Sequence, residues 1–339
     1  MSAIAVPISP AELTPATSSW SRALRSPRVI CGGAVLLVML LLCVLSLPWT
    51  LDGGNRNENL PPSTLYYDHQ RPDDARTPPG AEFWRWFGTD QLGRSLLGRC
   101  LLGGSLSLTI GLAAAFISVL LGVSVGLIAG YRGGRIDALL MRSVDILYGL
   151  PYVLLVILFK IAMEDPLTRA FSYLATKSSL IHASIEPRFT ANIIVLFLAI
   201  GLVSWLTMAR VVRGQVLSLR AQPFIEAARA AGLPEWRIFT RHLLPNLVGP
   251  IAVYATLIVP QAILQESFLS FLGVGIQAPL PTWGSLASEG LLPGLSPVNP
   301  NWWMLLFPCT LLAITLLSLN FLGDGLRDVF DPKREGAKI

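Results

Sequence analysis

The sequence predicts an all-α membrane protein with six transmembrane helices, and three observations predict it. Of its 339 residues, 53% are hydrophobic and only 14% are charged, against about 25% charged in an ordinary soluble domain. Six stretches, 29–48, 105–130, 138–162, 191–212, 247–272 and 302–322, are long and apolar enough to be spans, since crossing the hydrocarbon core takes about 20 such residues. Most charges fall between these stretches. Lipid offers no partner to free backbone groups, so the spans are expected as helices, and the weak alternation of a membrane β-barrel is absent from them.

Residues 1–28 read as a polar tail carrying Arg22, Arg25 and Arg28. The first span follows. It is longer than the ~7–15-residue core of a signal peptide, and Leu47-Pro48-Trp49-Thr50 offers no small-x-small cleavage site, so a retained anchor is expected. Residues 49–104 read as an external loop, irregular over 51–87. The second span places Ala114, Ser118, Gly122, Gly126 and Gly130 at a strict interval of four. That ridge lets another backbone come close, either within the subunit or along a moving interface or translocation path.

The third span contains Gly149 and Pro151, and the fifth contains Pro250 and Pro260; a proline there removes a backbone hydrogen bond and permits a kink. Arg142 and Asp145, three apart near the inner end of the third span, are spaced to form a structural ion pair on one helical face. Residues 164–189 read as an external excursion with a short helix around Leu167–Thr176. Glu266, late in the fifth span, is expected to meet a neighbouring helix, outer-surface water or cargo. Residues 273–300, rich in Pro and Gly, read as loop or re-entrant structure. Residues 323–339 form the second tail.

The formal net charge is +5. With the N-terminus inside, the inner segments 1–28, 131–142, 210–246 and the tail after 322 hold 3, 3, 6 and 4 basic residues, against 6, 3 and 0 in the outer segments. That is the positive-inside pattern, with both termini cytoplasmic, and it argues against nucleic acid as a partner. Cys31, Cys43, Cys100 and Cys309 form no Cys-x-x-Cys pair, so neither a disulfide framework nor a metal site is expected.

Between the fourth and fifth spans lies the polar, Ala-rich loop 213–246. Its first part has helix-forming character. Gly232 is placed to end that helix in the left-handed conformation, Pro234 suits the first turn of a second helix, and Pro245 is expected to limit it and begin the fifth span. Ala227, Ala228, Ala230 and Ala231 keep the first helix slim enough to enter a groove on a partner. Glu226 sits where the helix dipole favours a negative charge. On these residues alone, an ordinary amphipathic loop helix fits equally well.

The spacing Glu226-Ala227-Ala228, then Gly232, then Leu244-Pro245 resembles the EAA loop of bacterial ABC importer permeases. His242-Leu243-Leu244-Pro245-Asn246 is similar to the dipeptide/oligopeptide/nickel branch. So are Phe87-Gly88-Thr89-Asp90-Gln91-Leu92-Gly93-Arg94, Leu269-Ser270-Phe271-Leu272-Gly273 with Pro281-Thr282-Trp283-Gly284-Ser285, and Gly323-Asp324-Gly325-Leu326-Arg327-Asp328 with Asp331-Pro332. The chain departs from that branch at Ser95, where Asp is usual, and at Gly98, where Ser is usual. The resemblance covers about residues 84–335.

It implies a type I ABC importer permease fold, in the plasma (inner) membrane of a bacterium. It further implies half of a translocation pore for peptides or a related small solute such as a nickel chelate. The implied partners are a homologous second permease, two cytoplasmic ABC ATPase subunits that dock on the EAA loop, and an external substrate-binding protein. ATP and Mg belong on the ATPases, and this chain is expected to bind no cofactor and to have no catalytic residues. It has no Gly-x-x-x-x-Gly-Lys-Ser/Thr phosphate loop and no His-Glu-x-x-His. The alternative is a stand-alone channel or secondary transporter, which would move cargo without ATPases.

Overall fold

The computed structural model describes residues 25–54, 62–177 and 187–330. The two tail ends and part of the 164–189 segment lie outside them. The described residues form α1 (Pro27–Leu45), α2 (Leu96–Arg132), α3 (Gly134–Tyr148), α4 (Tyr152–Lys177), α5 (Pro187–Arg220), α6 (Pro223–Ala230), α7 (Leu244–Phe271), α8 (Trp283–Gly294) and α9 (Trp303–Phe330). A short turn, Leu47–Thr50, follows α1. Among the described residues α1, α2, α5, α9 and the continuous rod Glu235–Phe271 are long and apolar enough to cross a membrane, and the bent pair α3–α4, counted as one span, makes a sixth.

The boundaries differ from the sequence expectation in instructive ways. The expected third span, 138–162, straddles a 97° bend between α3 and α4, centred on Gly149-Leu150-Pro151. Beyond the bend, α4 runs unbroken past residue 163 to Lys177 with Pro166 inside it, so the expected short helix around Leu167–Thr176 is the end of a longer one. The fourth span continues to Arg220, and the loop between spans starts at 221 rather than 213. Pro245 lies in the first turn of α7, as expected, but the helix does not break ahead of it. A π-helical turn, Phe239–Leu243, sits just before it. The wider turn absorbs the missing Pro245 N–H, so the helix from Glu235 continues into the membrane. The last span likewise runs on to Phe330.

The centre of the bundle is α2 packed along α5. A methyl group added at Gly122 would come 2.5 Å from Met208 Cβ, at Gly126 2.6 Å from the Ala209 carbonyl, and at Gly130 2.8 Å from Val216 Cβ. Ser118 Oγ donates to the Gly201 carbonyl at 3.3 Å, and Ala114 is fully buried. The ridge is therefore a seam within the subunit, where absent side chains let two backbones meet. At the other side, α1 lies against α9: Gly32 faces the Ser318 carbonyl, and Arg28 pairs with Asp328 at 2.7 Å.

The bundle end away from α6 is capped by residues 62–95 and α8. Thr282 and Ser285 form a reciprocal capping box that starts α8. Trp283 is fully buried, and its Nε1 donates to the Cys100 carbonyl at 3.0 Å. Residues 273–300, expected as loop or re-entrant, thus hold a seated helix.

Candidate functional site

Gln222-Pro223 ends the fourth span and opens α6 with proline at its first position, where a missing N–H costs nothing. Ile225 and Ala228 turn inward and are buried; Glu226, Ala227, Ala230 and Ala231 face outward. Gly232 adopts φ 72°. Its N–H donates to the Arg229 carbonyl and the Leu233 N–H to the Ala228 carbonyl, the two bonds of a Schellman ending. The inner face of α6 joins Met208, Val212 and Val216 of α5 with Ile238, Leu243 and Leu247 of the following rod in one apolar cluster. The module is seated on the bundle, and the outer face of α6 is small-residue surface bearing one carboxylate. Leu244 and Pro245 are exposed on its flank, and His242 is half-buried.

A set of residues outside the expected motif fixes this seat. Tyr131, at the end of α2 one residue past Gly130, is buried and meets Phe239 edge-on at 4.7 Å. The Arg229 guanidinium lies 4.6 Å from the Tyr131 ring centroid, and its Nε donates to the Tyr131 hydroxyl at 3.3 Å. Arg220 Nη1 donates to the Tyr131 carbonyl at 2.9 Å, closing the C-terminus of α2 as a cation does well. Arg132 pairs with Glu235 at 3.3 Å, and Arg213 holds Asp137 by two bonds of 2.5 and 2.6 Å. A tyrosine beyond a glycine ridge and arginines of both flanking helices carry no linear motif, so sequence reading missed them.

The expected pair of Arg142 with Asp145 does not form. Asp145 pairs instead with Arg210 of α5 at 2.8 Å, and that guanidinium also lies over the Tyr148 ring at 4.1 Å. An acid following a base along a helix is the weaker order for a same-helix pair, and the neighbouring helix supplies a cation that also stacks. Glu266 is fully buried and takes hydrogen bonds from Ser107 of α2 at 2.9 Å and Ser270 at 2.7 Å, so it joins two helices. Lys160, unremarked in the sequence, is buried in α4 and donates to the carbonyls of Val274 and Gly275 after the fifth span.

The Gly-Thr-Asp-x-x-Gly-Arg stretch is built into the cap. Asp90 accepts from Arg94 and from Arg99, both at 2.7 Å, and Arg99 reaches Glu289 of α8 at 2.6 and 3.0 Å. Both departures from the branch pattern have a structural role. Ser95 caps α2 by accepting from the Gly98 N–H and donates to the Trp84 carbonyl. A side chain at 98 would come 2.2 Å from the Leu65 carbonyl. Gly122-Val123-Ser124-Val125-Gly126 matches the spacing of a hydrolase elbow, but it lies mid-helix with Ser124 Oγ bonded to the Leu120 carbonyl. It lacks the strand-to-helix turn that exposes such a nucleophile.

Residues 122–336 match the family described as "Binding-protein-dependent transport system inner membrane component". The chain is 44% identical over 255 residues to an oligopeptide transport system permease protein, OppC, of Haemophilus influenzae, covering 75% of this chain and 72% of the relative. It is 39% identical over 319 residues to a dipeptide transport system permease protein, DppC, of Bacillus subtilis, covering 93% and 85%. A solved MetNI methionine ABC transporter in inward-facing conformations aligns with a TM-score of 0.48 at 20% identity, covering 68% of this chain and 96% of that one.

Proposed function

The chain belongs to the family of binding-protein-dependent transport system inner membrane components, and on that premise we propose that it forms half of the pore of an ATP-driven importer of peptides. A homologous permease supplies the other half, two ABC ATPases drive it, and an external binding protein delivers cargo. ATP and Mg reside on the ATPases, and this chain binds no cofactor. Both termini and α6 face the cytoplasm of a bacterium. The names of its oligopeptide and dipeptide relatives favour peptides over a nickel chelate.

The observation that carries the ATPase contact is the α6 module. It presents an exposed face of Glu226, Ala227, Ala230 and Ala231, yet it is fixed to the ends of α2 and α5 through Ile225, Ala228 and Arg229. A partner that moves α6 therefore moves the spans. A ligand-driven partner shifts states only through such differential contacts. The test is affinity purification of the tagged chain from its native membrane in mild detergent, with mass spectrometry of the co-purifying chains. Recovery of a second permease and ABC ATPases supports the assembly. A monodisperse chain without ATPases returns the channel reading.

A further inference from the structure

The bend between α3 and α4 opens a cavity of about 350 Å³ between that break, α5 and α7, within the ~300–1,000 Å³ range of small-ligand pockets. Its polar wall is Tyr148, Tyr152, Ser204, Thr207, Gln261 and Gln265. Tyr152 and Gln265 also border an adjoining apolar cavity of about 300 Å³ against Leu264 and Phe268. An interrupted helix at membrane depth is tolerated where it lines a cavity, and discontinuous helices line cargo sites in other transporters.

One buried atom in this wall, Gln265 Oε1, makes no hydrogen bond to the described residues. Ser204 Oγ donates to the Ile200 carbonyl at 2.9 Å and can still accept from Tyr152 beside it. Buried polar groups left this way are costly and call for an occupant that bonds to them. All the polar wall residues are neutral, and the nearest charges, Arg210 and Asp145, pair with each other at 2.8 Å. The wall has no His or Cys, which a soft or borderline metal prefers. A side-chain amide beside hydroxyls matches a peptide backbone amide, which has one donor and one acceptor.

We propose that this cleft is a cargo-contact site for the neutral backbone amides of a peptide in transit, with the apolar annex receiving a side chain. The proposal rests on the importer reading above and adds to it a site and the part of the cargo that the site recognises. Because it reads amides and not charge, it accepts many sequences, while an analogue lacking an amide N–H leaves Gln265 unpaired.

The test uses the full importer, with its partner permease, ATPases and binding protein, in proteoliposomes. The probes are labelled trialanine and its depsipeptide analogue, in which an ester oxygen replaces one amide N–H, each at saturating loaded binding protein. The variants Gln265→Met and Tyr152→Phe keep side-chain volume. The wild type should favour the amide by ~10-fold or more, as a site built to hydrogen-bond its substrate does. Gln265→Met should move both probes at equal rates, with co-purification of the partner permease and ATPases showing that the subunit has folded and assembled. Wild-type discrimination retained in both variants overturns the site. A wild-type assembly that moves neither probe overturns the importer reading and the site with it.

Discussion

The Arg229 guanidinium of α6 stacks on the Tyr131 ring of α2, 4.6 Å from its centroid, and donates to its hydroxyl at 3.3 Å. Tyr131 directly follows Gly130, the last residue of the ridge packed on α5, so this side chain ties the exposed module to the α2–α5 seam. Tyr131→Ala should leave the importer assembled but reduce peptide moved per ATP hydrolysed. Tyr131→Phe keeps the ring and should be close to wild type. Parallel ATPase and uptake measurements in proteoliposomes check this, and equal coupling in Tyr131→Ala would remove the residue from the account.

Glu226 is exposed and near the start of α6, so reversing its charge costs the fold little while changing what a partner meets. Glu226→Lys should reach the membrane at normal levels and abolish uptake. Membrane immunoblots and uptake assays read both, and normal uptake would contradict a coupling role.

Gly232 closes α6 at φ 72° with open space around its Cβ position. A substitution there meets no neighbour and is penalised by backbone conformation alone, ~1–2 kcal/mol for an ordinary residue and more for a β-branched one. Gly232→Val should weaken ATPase retention on affinity resin, and Gly232→Asn, which tolerates the left-handed region, should retain it better.

Gly126 and Gly214 separate packing from propensity. A methyl at Gly126 would meet the Ala209 carbonyl at 2.6 Å, whereas one at Gly214 meets nothing within 4 Å. Gly126→Ala should lower the thermal midpoint in detergent, and Gly214→Ala should leave it level or raise it, since alanine favours helix by ~1 kcal/mol.

Arg99 is almost fully buried between Asp90 and Glu289. Arg99→Leu leaves Asp90 its Arg94 partner at 2.7 Å but cuts the link to Glu289 of α8, so it should lower the thermal midpoint. A double-mutant cycle of Arg99→Leu with Glu289→Gln, followed by thermal unfolding, should show that the two effects are not additive. Additive effects would mean that the cap is not held by this pair.

What was legible follows from how local each signal is. Gly232 was readable because a glycine after an alanine run can end a helix in a conformation other residues avoid, and the ridge at 114–130 because its interval is a helical period. Pro245 was readable as the first turn of α7, but the π turn that joins it to Glu235–Ile238 has no linear signal. Glu164, Asp165 and Pro166 look like a loop, yet α4 runs through them. Asp145 was matched to Arg142 by nearness in sequence, while its partner is 65 residues away. The cleft at Gly149–Pro151 had a visible cause, two helix breakers, but its lining comes from three separate segments and no single window contains it.

The most direct measurement places a photo-crosslinker at Ala227, on the exposed face of α6, in the full importer in its native membrane. The account predicts a specific crosslink to an ABC ATPase, whose yield changes when nucleotide is trapped. A crosslink only to lipid or to the companion permease, with ATPases present in the same membrane, would contradict the claim that this module couples ATP hydrolysis to the spans.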